Sequence, residues 1–257
     1  MAVILEEAMF KVGTDALVGK NGLRQKRINK TAKKIMQFRN ERNMRVSITT
    51  SGSVAKGRRV LEALGNYDPE TPKKVLAGTG GHKIIAAWDR GLEPFNTAAC
   101  QVLVTHEAID DNRTGRALLD THKSIHEAGI VPVYNQNDPV AIKNHKNELL
   151  KMEEGADNDF LAAELAIHMG VQAVFFLTKG VDGFMKNEQL ERFIHADDVP
   201  YLQQYLYSSE GQGTGGMASK LEAAAHVARA GKLAFIGSVD GSYIDIFENK
   251  AGTQVVQ

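Results

Sequence analysis

Short apolar segments rich in β-branched residues alternate along the chain with longer amphipathic segments. The short segments predict strands at Ala8–Gly13, Val46–Thr50, Gln101–Thr105, Ile130–Tyr134, Val171–Leu177 and Leu233–Gly237. The amphipathic segments predict helices at Leu23–Arg42, Val75–Trp88, Thr114–Glu127 and Met217–Ala230, with further helices after Ser53 and Asp159. Because strands that alternate with helices build βαβ units, the pattern predicts an α/β fold with a mainly parallel sheet.

The C-terminal part of the pattern is less regular. Residues from Asn187 to Ser209 predict a mobile element that covers the rest of the fold. Segments Ser242–Phe247 and Thr253–Val256 are predicted to close the fold as an antiparallel pair. Cys100 is the single cysteine and lies in an apolar run, so it predicts a small buried side chain and no intrachain disulfide.

Composition narrows the class of protein. A chain of 257 residues can fill one large core, so we expect a single domain over residues 1–257. Lys plus Arg and Asp plus Glu both total 31, so no overall charge recommends nucleic acid or an anionic membrane as a partner. The apolar opening ends at Glu6 and Glu7, and no apolar run has membrane-spanning length. We therefore expect a soluble, cytoplasmic protein.

One stretch joins flexible backbone to a positioned cation, since four glycines from Gly211 to Gly216 precede Lys220. Glycines let the main chain approach a ligand closely, and the helix that follows offers unpaired N–H groups to an anion. Lys220, one turn into that helix, adds a full positive charge. The stretch therefore predicts a phosphate site.

Four polar clusters lie at predicted strand ends or helix starts. They are Lys11–Asp15, Ser51–Ser53, Asn135–Asp138 and Asp157–Asp159. The last three are also explained as a loop, a turn and a helix cap. Lys11 differs, because a lysine inside an apolar strand is costly unless its ammonium meets anions. With the glycine stretch, the clusters predict phosphoryl transfer, in which Lys11 and Lys220 supply cations and Asp159 holds them.

Other chemistries fit the residues less well. Gly211, Gly213 and Gly216 have the spacing of a dinucleotide fingerprint, but the segment before them is a poor strand. His122 and His126 have helical spacing, but the glutamate of a zinc protease motif is missing, so we expect surface residues and no metal site. Ser51 lacks the glycine pattern of a nucleophile elbow, which favours hydrogen bonding to a substrate.

Five blocks of sequence, in order, resemble the amino-acid kinase family and, within it, the glutamate 5-kinases. The blocks are Phe10–Thr14, Thr50–Gly57, Ile130–Asp138, Asp157–Ala162 and Gly213–Ala224. The resemblance covers nearly the whole chain and implies a three-layer αβα sandwich. It also implies transfer of the γ-phosphoryl group of ATP, with Mg²⁺, to the side-chain carboxylate of L-glutamate. The product, glutamyl 5-phosphate, would enter proline synthesis.

The resemblance also implies roles for particular residues. Lys11 and Lys220 would stabilise the transferring phosphoryl group, and Asp159 would orient them. The residues that would hold glutamate are Ser51, Gly52, Asn135, Asp138 and Asn158, with Asp138 suited to its ammonium group. The residues that would line the nucleotide are Gly13, Thr178, Gly213, Thr214, Gly215, Gly216, Met217 and Lys220. A homo-oligomer and feedback inhibition by proline would be in keeping with the resemblance.

Three features depart from the family pattern. Asp15 stands where relatives have a small hydroxyl residue near the phosphates, and the turn Leu177–Phe184 is one residue longer than theirs. The C-terminal RNA-binding-like domain of many glutamate 5-kinases is not expected here. These departures leave two alternatives open: a kinase for another small carboxylate or phosphate acceptor, and a catalytically weak nucleotide or amino-acid sensor on the same fold.

Overall fold

The computed structural model describes residues 5–141, 157–205 and 214–257. The strands within these ranges are β1 (Glu7–Val12), β2 (Val18–Gly19), β3 (Gly22–Leu23), β4 (Arg45–Thr50), β5 (Ala99–Val104), β6 (Val131–Gln136), β7 (Ala173–Thr178), β8 (Met185–Lys186), β9 (Gln189–Leu190), β10 (Phe193–His195), β11 (Leu233–Ser238) and β12 (Thr253–Val256). The α-helices there are α1 (Thr14–Leu17), α2 (Gln25–Arg42), α3 (Ser53–Ala63), α4 (Lys73–Leu92), α5 (His106–Asp110), α6 (Asn112–Glu127), α7 (Asp157–Met169), α8 (Val199–Leu202), α9 (Thr214–Arg229) and α10 (Tyr243–Phe247). None of these helices is both long and apolar enough to span a bilayer.

An eight-stranded sheet forms the centre of the described chain, in the order β10-β12-β11-β7-β1-β4-β6-β5. Every neighbouring pair from β11 to β5 is parallel. β12 pairs antiparallel with β11, and β10 pairs parallel with β12. Parallel strands need crossover connections, and the predicted helices supply them. The expected α/β fold with a mainly parallel sheet is confirmed.

Helices cover both faces of the sheet because side chains alternate along each strand. On one face, Phe10 of β1 lies in a buried cluster with Trp88 of α4. On the other face, Met9 of β1 lies in a second cluster with Leu161 of α7 and Leu221 of α9. The three-layer αβα sandwich is therefore confirmed.

Three predictions about local structure are wrong. The segment from Tyr243 to Phe247 is a helix and not a strand, because the Ser242 hydroxyl caps it by accepting a 3.2 Å hydrogen bond from the Asp245 N–H. The stretch from 187 to 209 is not simply a cover, since it contributes β10 to the main sheet, and its residues 206–209 lie outside the described ranges. Cys100 is only half-buried, because β5 is an edge strand of this sheet.

Helices α3 and α4 touch through glycines, and their contact supports the segment that leaves β4. A Cβ added at Gly80 would lie 2.0 Å from the Ser53 carbonyl oxygen, and one at Gly57 would lie 1.8 Å from the Leu76 carbonyl oxygen. A larger residue at either position would force the two backbones apart. This close crossing fixes Ser53, the first residue of α3, at the edge of the sheet.

Candidate active site

The carboxyl ends of β7, β1, β4 and β6 lie side by side at one edge of the sheet. The chain leaves β1 towards β4 on one side and returns as β7 on the other, so the strand order reverses beside β1. Open parallel sheets bind ligands at such a reversal, outside the carboxyl ends of the strands. Three strand spacings of about 4.8 Å make this edge about 14 Å wide from β7 to β6. That width can take two small ligands side by side.

One buried carboxylate joins two ammonium groups at this edge. Nζ of Lys11, on β1, lies 2.6 Å from Oδ1 of Asp159, near the start of α7. The other carboxylate oxygen, Oδ2, lies 3.3 Å from Nζ of Lys220 on α9 and accepts a 2.9 Å hydrogen bond from the Ser219 hydroxyl. Lys220 also donates a 3.2 Å hydrogen bond to the Gly216 carbonyl. The structure thus brings together the three residues that the sequence predicts as catalytic.

Burial and mutual contacts shift the pKa values of Lys11 and Asp159 in this cluster. Burial lowers the pKa of Lys11 to about 8, with Asp159 opposing the change and Lys220 adding to it. Burial alone would raise the pKa of Asp159, but the two lysines outweigh it and hold the carboxyl pKa below its usual range. With all three groups ionised, the cluster carries one surplus positive charge. A buried cation without a partner is costly, so the surplus favours an anionic ligand.

Beside the cluster of Lys11, Asp159 and Lys220, a hydrogen bond links the end of β6 to the segment that follows β4. Gly52 has φ of +98°, which glycine adopts readily, and a Cβ there would also lie 3.1 Å from Cγ2 of Val18. Ser51 is buried directly before it. The amide Nδ2 of Asn135, on β6, donates a 2.7 Å hydrogen bond to the Ser53 hydroxyl. The structure therefore places Ser51, Gly52 and Asn135 at neighbouring strand ends.

Three buried amide oxygens here have no hydrogen-bond partner among the described residues. They are Oδ1 of Asn135, Oε1 of Gln136 and Oδ1 of Asn158. Buried polar groups usually find a partner, so unpaired acceptors indicate a ligand with N–H or O–H donors. Asp138, half-buried just beyond β6, brings a carboxylate to the same side. A small cationic group fits this part of the edge.

Thr178 ends β7 on the other side of β1. Its hydroxyl contacts the carbonyl oxygens of Val181 and, at 3.2 Å, Gly237. Its own carbonyl accepts a 2.7 Å hydrogen bond from the Val239 N–H. The hydroxyl and carbonyl of Thr178 therefore tie the end of β7 to the turn that follows it and to the end of β11.

The described part of the glycine stretch, Gly215 and Gly216, lies at the start of a helix. Helix α9 begins at Thr214, which is earlier than the predicted start at Met217. Gly215 and Gly216 therefore lie in the first turn, where backbone N–H groups lack intrahelical partners and can face an anion. The predicted loop position of these two glycines is wrong, because a first turn tolerates glycine. Gly213 lies outside the described residues.

Gly13 and Asp15 follow β1 directly. A Cβ added at Gly13 would lie 3.9 Å from Nζ of Lys11, so the backbone passes close to that ammonium. Asp15 lies in the first turn of α1 and is exposed.

The sequence gives no particular role to Ser219, Gln136 or Ser53, whose contacts depend on packing between distant elements. Their one available signal is their position beside Lys220, Asn135 and Gly52.

A second buried polar cluster lies at the amino end of β1, and it corrects the prediction that His122 and His126 are surface residues. Both side chains are 6% exposed. Their Nε2 atoms each lie 3.0 Å from a carboxylate oxygen of Glu7. Burial alone would raise the pKa of Glu7, but the two imidazoles hold it well below its usual range. A buried carboxylate needs such partners, which is why α6 turns both rings inwards.

Comparisons with known proteins identify the family. A sequence profile described as the amino acid kinase family matches residues 9–238. The glutamate 5-kinase of Xanthomonas oryzae pv. oryzae (strain MAFF 311018) is 34% identical over 236 residues, which cover 87% of this chain. The chain spans 60% of the length of that curated relative.

Solved structures share the fold. Carbamate kinase from Giardia lamblia bound to citric acid has a TM-score of 0.69 at 16% identity, covering 98% of both chains, and the same enzyme bound to AMP-PNP has a TM-score of 0.65. UMP kinase from Ureaplasma parvum has a TM-score of 0.62 at 17% identity, covering 98% of this chain and 100% of its own. The profile covers most of the chain and these neighbours have the same fold, so the chain belongs to the amino acid kinase family.

Proposed function

We propose that this chain uses ATP to phosphorylate the side-chain carboxylate of L-glutamate, which forms glutamyl 5-phosphate for proline synthesis. The observation that carries the proposal is the buried, surplus positive charge of Lys11, Asp159 and Lys220 at the reversal of strand order. Two ammonium groups held on one carboxylate suit a phosphoryl group that passes between two bound oxygens. The likeness to glutamate 5-kinases supports glutamate as the acceptor.

In the proposed step, a carboxylate oxygen of glutamate forms a bond to the γ-phosphorus of ATP. The bond from that phosphorus to the bridging oxygen breaks, and ADP leaves with the electron pair. No general base is needed, because the attacking carboxylate carries no proton. Lys11 from β1 and Lys220 from α9 would stabilise the charge on the moving group, and Asp159 would act as a positioning residue.

Glutamate would lie at the ends of β4 and β6. Its ammonium group would donate to the amide oxygens of Asn135 and Asn158 and lie near the carboxylate of Asp138. Its α-carboxylate would accept hydrogen bonds from the Ser51 hydroxyl and the Gly52 N–H. The phosphate of UMP is a poorer match for this set, because it needs cations or N–H donors and not oxygen acceptors.

ATP would lie on the side of β7 and α9. The residues around it would be Gly13, Thr178, Gly213, Thr214, Gly215, Gly216, Met217 and Lys220. The free N–H groups of the first turn of α9 suit a phosphate, and the AMP-PNP complex of the carbamate kinase supports a nucleotide on this fold.

Magnesium fits this arrangement as a companion of the ATP phosphates. Both oxygens of Asp159 already contact an ammonium or a hydroxyl, so that carboxylate is poorly placed to hold the ion. The exposed Asp15 on α1 is a second carboxylate next to Gly13 and could add one ligand. When bound, Mg²⁺ would neutralise part of the phosphate charge.

The proposal also includes a homo-oligomer, which rests on family likeness alone.

The test incubates the purified chain with ATP, Mg²⁺ and hydroxylamine, and with one acceptor at a time. The acceptors are glutamate, aspartate, N-acetylglutamate, carbamate and UMP. Hydroxylamine traps acyl phosphates as hydroxamates, and ADP release is measured in parallel. We expect hydroxamate with glutamate only, and its loss in Lys220→Ala. N-acetylglutamate has no free ammonium, so a good signal with it would contradict the role given to Asn135, Asp138 and Asn158.

Two other outcomes would replace this proposal. ADP release with UMP or carbamate alone would assign a different acceptor to the same site. Tight binding of nucleotide or amino acid without turnover of any acceptor would favour a sensor.

A further inference from the structure

The cluster at the amino end of β1 contains Glu7 together with His122 and His126 of α6. Glu7 lies four residues before Lys11 in the strand, so the two are about 13 Å apart. Nε2 of His122 lies 3.0 Å from Oε2 of Glu7, and Nε2 of His126 lies 3.0 Å from Oε1. The two nitrogens and a carboxylate oxygen all lie within 4.8 Å of one another. This cluster takes no part in the proposed phosphoryl transfer.

The spacing of the two histidines favours chelation of a single ion. They are four residues apart on one helix, so their rings lie on the same face. The ring centroids are 4.6 Å apart and the ring planes cross at 87°, and both Nε2 atoms contact the same carboxylate. Two histidines at this spacing with one carboxylate form a zinc-binding set in proteins. Here a strand supplies the carboxylate, which is why the helix sequence alone does not show the site.

We propose that Glu7, His122 and His126 bind a divalent transition-metal ion, for which Zn²⁺ is the best match. Zinc binds imidazole nitrogen and carboxylate oxygen at about 2.0–2.2 Å, and in a tetrahedron such ligand atoms lie about 3.4 Å apart. Each Nε2 atom lies 3.0 Å from its own oxygen of Glu7, so each of these two separations needs only a small opening, and the full set lies within 4.8 Å. The ion would replace the protons that otherwise lie between the carboxylate and the two Nε2 atoms.

Residues around the cluster suit a metal site. Nδ1 of His122 lies 2.8 Å from the hydroxyl of Tyr134, which is fully buried on β6. Histidines that bind a metal usually donate a hydrogen bond from their other ring nitrogen, which fixes tautomer and orientation. The Ser47 hydroxyl donates to Glu7 and lies 3.4 Å from Nε2 of His126. Either this hydroxyl or a water would complete four ligands.

Without a metal, the same side chains form a hydrogen-bonded network in which both Nε2–H groups donate to Glu7. One nearby cation would compete with a metal ion for the carboxylate, because Nε of Arg45 lies 4.0 Å from Oε2 of Glu7. The Arg45 side chain is 49% exposed and also reaches Glu6, so it can turn away from a bound ion. His126 is only partly buried as a residue, so an ion could enter beside it. A metal here would tie α6 to β1 without touching the reacting groups.

The test uses cobalt as a visible probe. Protein without a histidine tag is stripped with EDTA and then titrated with Co²⁺ in excess Mg²⁺, which occupies sites made only of oxygen ligands. Four-coordinate Co²⁺ absorbs visible light far more strongly than the six-coordinate aqueous ion. We expect one equivalent of Co²⁺ to give this absorption and Zn²⁺ to displace it, since zinc binds such sites more tightly. No turnover is measured, so the result is independent of the proposed kinase activity.

Variants locate the ion. His122→Gln and His126→Gln should each lower Co²⁺ affinity more than about 100-fold, and Tyr134→Phe, which keeps its shape, about 10- to 100-fold. The matched control is His106→Gln, because His106 is also buried and contacts the Glu164 carboxylate. It should bind Co²⁺ as the parent chain does. Circular dichroism checks folding, and His126→Gln, at the less buried residue, is the variant that decides if His122→Gln fails to fold.

Two results would overturn the proposal. One is an absence of the visible band in the parent chain, which would leave the cluster as a hydrogen-bonded network only. The other is a band that survives in both histidine variants or is lost in His106→Gln, which would place the ion elsewhere.

Discussion

The two ends of β1 bury charge in different ways on the same face of the sheet. At the carboxyl end, the one carboxylate of Asp159 serves two lysines, which leaves a surplus positive charge. At the amino end, both oxygens of the Glu7 carboxylate contact polar groups of the protein itself, namely two imidazole Nε2 atoms and the Ser47 hydroxyl. Lys11 lies four positions after Glu7, so one short strand carries both a cluster with a surplus charge and a cluster whose groups contact one another.

The difference explains which end suits a substrate. A buried ammonium keeps its charge at neutral pH unless burial is severe, so the two lysines favour an anion from solution. At the amino end, contacts within the protein already meet both oxygens of the Glu7 carboxylate. An excess of one charge within a buried cluster is therefore a better indicator of substrate binding than burial of charged groups by itself.

Asp159→Asn should lower the free energy of unfolding most, because it removes the anion that both lysines share. Loss of one partner from a buried ion pair costs about 3–5 kcal/mol, and we expect the free energy of unfolding to fall by that amount. Urea denaturation at pH 7 measures it. The control is Glu164→Gln on the same helix, where the carboxylate is 28% exposed and should cost about 1 kcal/mol or less. Equal losses in the two variants would contradict the importance given to Asp159.

Lys220→Ala tests the surplus charge at the chemical step. We expect kcat to fall about 100- to 1000-fold, as for loss of one group that stabilises transition-state charge. The KM for glutamate should change much less, because in the proposed step the lysine would act chiefly on the moving phosphoryl group. Steady-state kinetics with the hydroxamate assay separates the two. Lys250→Ala, at an exposed lysine, should change neither, and an unaltered kcat in Lys220→Ala would remove that residue from the mechanism.

Glu7→Gln tests the amino end and should have a smaller effect than Asp159→Asn. The amide is a weaker acceptor than the carboxylate for the two imidazoles, so we expect a loss of about 1–3 kcal/mol, as for a buried polar group that loses its hydrogen-bond partner. The measurement is urea denaturation in EDTA, which removes any metal contribution. Glu6→Gln is the matched control, since Glu6 is the neighbouring residue and is 59% exposed. A loss as large as that of Asp159→Asn would mean that the two ends are not as different as argued.

Much of the fold follows from local sequence rules. Alternation of short apolar segments with longer amphipathic segments predicts the six parallel strands from β11 to β5, since each βαβ unit is encoded over a short stretch of chain. The same rules place Lys11, Ser51 and Asn135 at strand ends, because parallel strands all end at one edge. The strand β10 is too short for periodicity to reveal, and α10 alternates like a strand although Ser242 caps it as a helix.

Contacts between distant elements are the part that sequence could not predict. Glu7 comes about 115 residues before His122, and only the docking of α6 on the sheet brings them together. The polar clusters and the family likeness both predict that Asp159 holds Lys11 and Lys220, but neither predicts the hydrogen bond from Ser219 to Asp159 or the buried oxygen of Gln136 that has no partner among the described residues. These depend on how helices are rotated against the sheet, which the pattern of apolar residues determines only coarsely.

The pH dependence of the proposed reaction tests whether the charge of Lys11 is required. Burial lowers its pKa to about 8, and the proposed phosphoryl transfer would need its charge, so kcat/KM should fall about tenfold per pH unit above that value. Stability should move the other way, because the unfolded chain keeps the proton up to the ordinary lysine pKa of 10.5. The unfolded state then binds more protons between these two values, and the free energy of unfolding rises with pH across that window.

Lys11→Arg is the matched variant for this profile, because an arginine stays charged over the whole range. It should lose the fall above pH 8 even where its rate is lower. A fall that persists unchanged in Lys11→Arg would assign the titration to another group.

Asp15→Thr should have the smallest effect. It tests whether the carboxylate of Asp15 weakens ATP binding by repelling the phosphates. Asp15 is exposed beside Gly13, and an exposed charge contributes about 1 kcal/mol or less. If it repels the phosphates, the KM for ATP with Mg²⁺ should fall by less than about fivefold, and salt should weaken the effect. Asp15→Asn removes the charge at nearly constant shape and should behave alike. A rise in KM in both variants would instead mean that this carboxylate helps to hold Mg²⁺, so that metal and lysines together receive the phosphates.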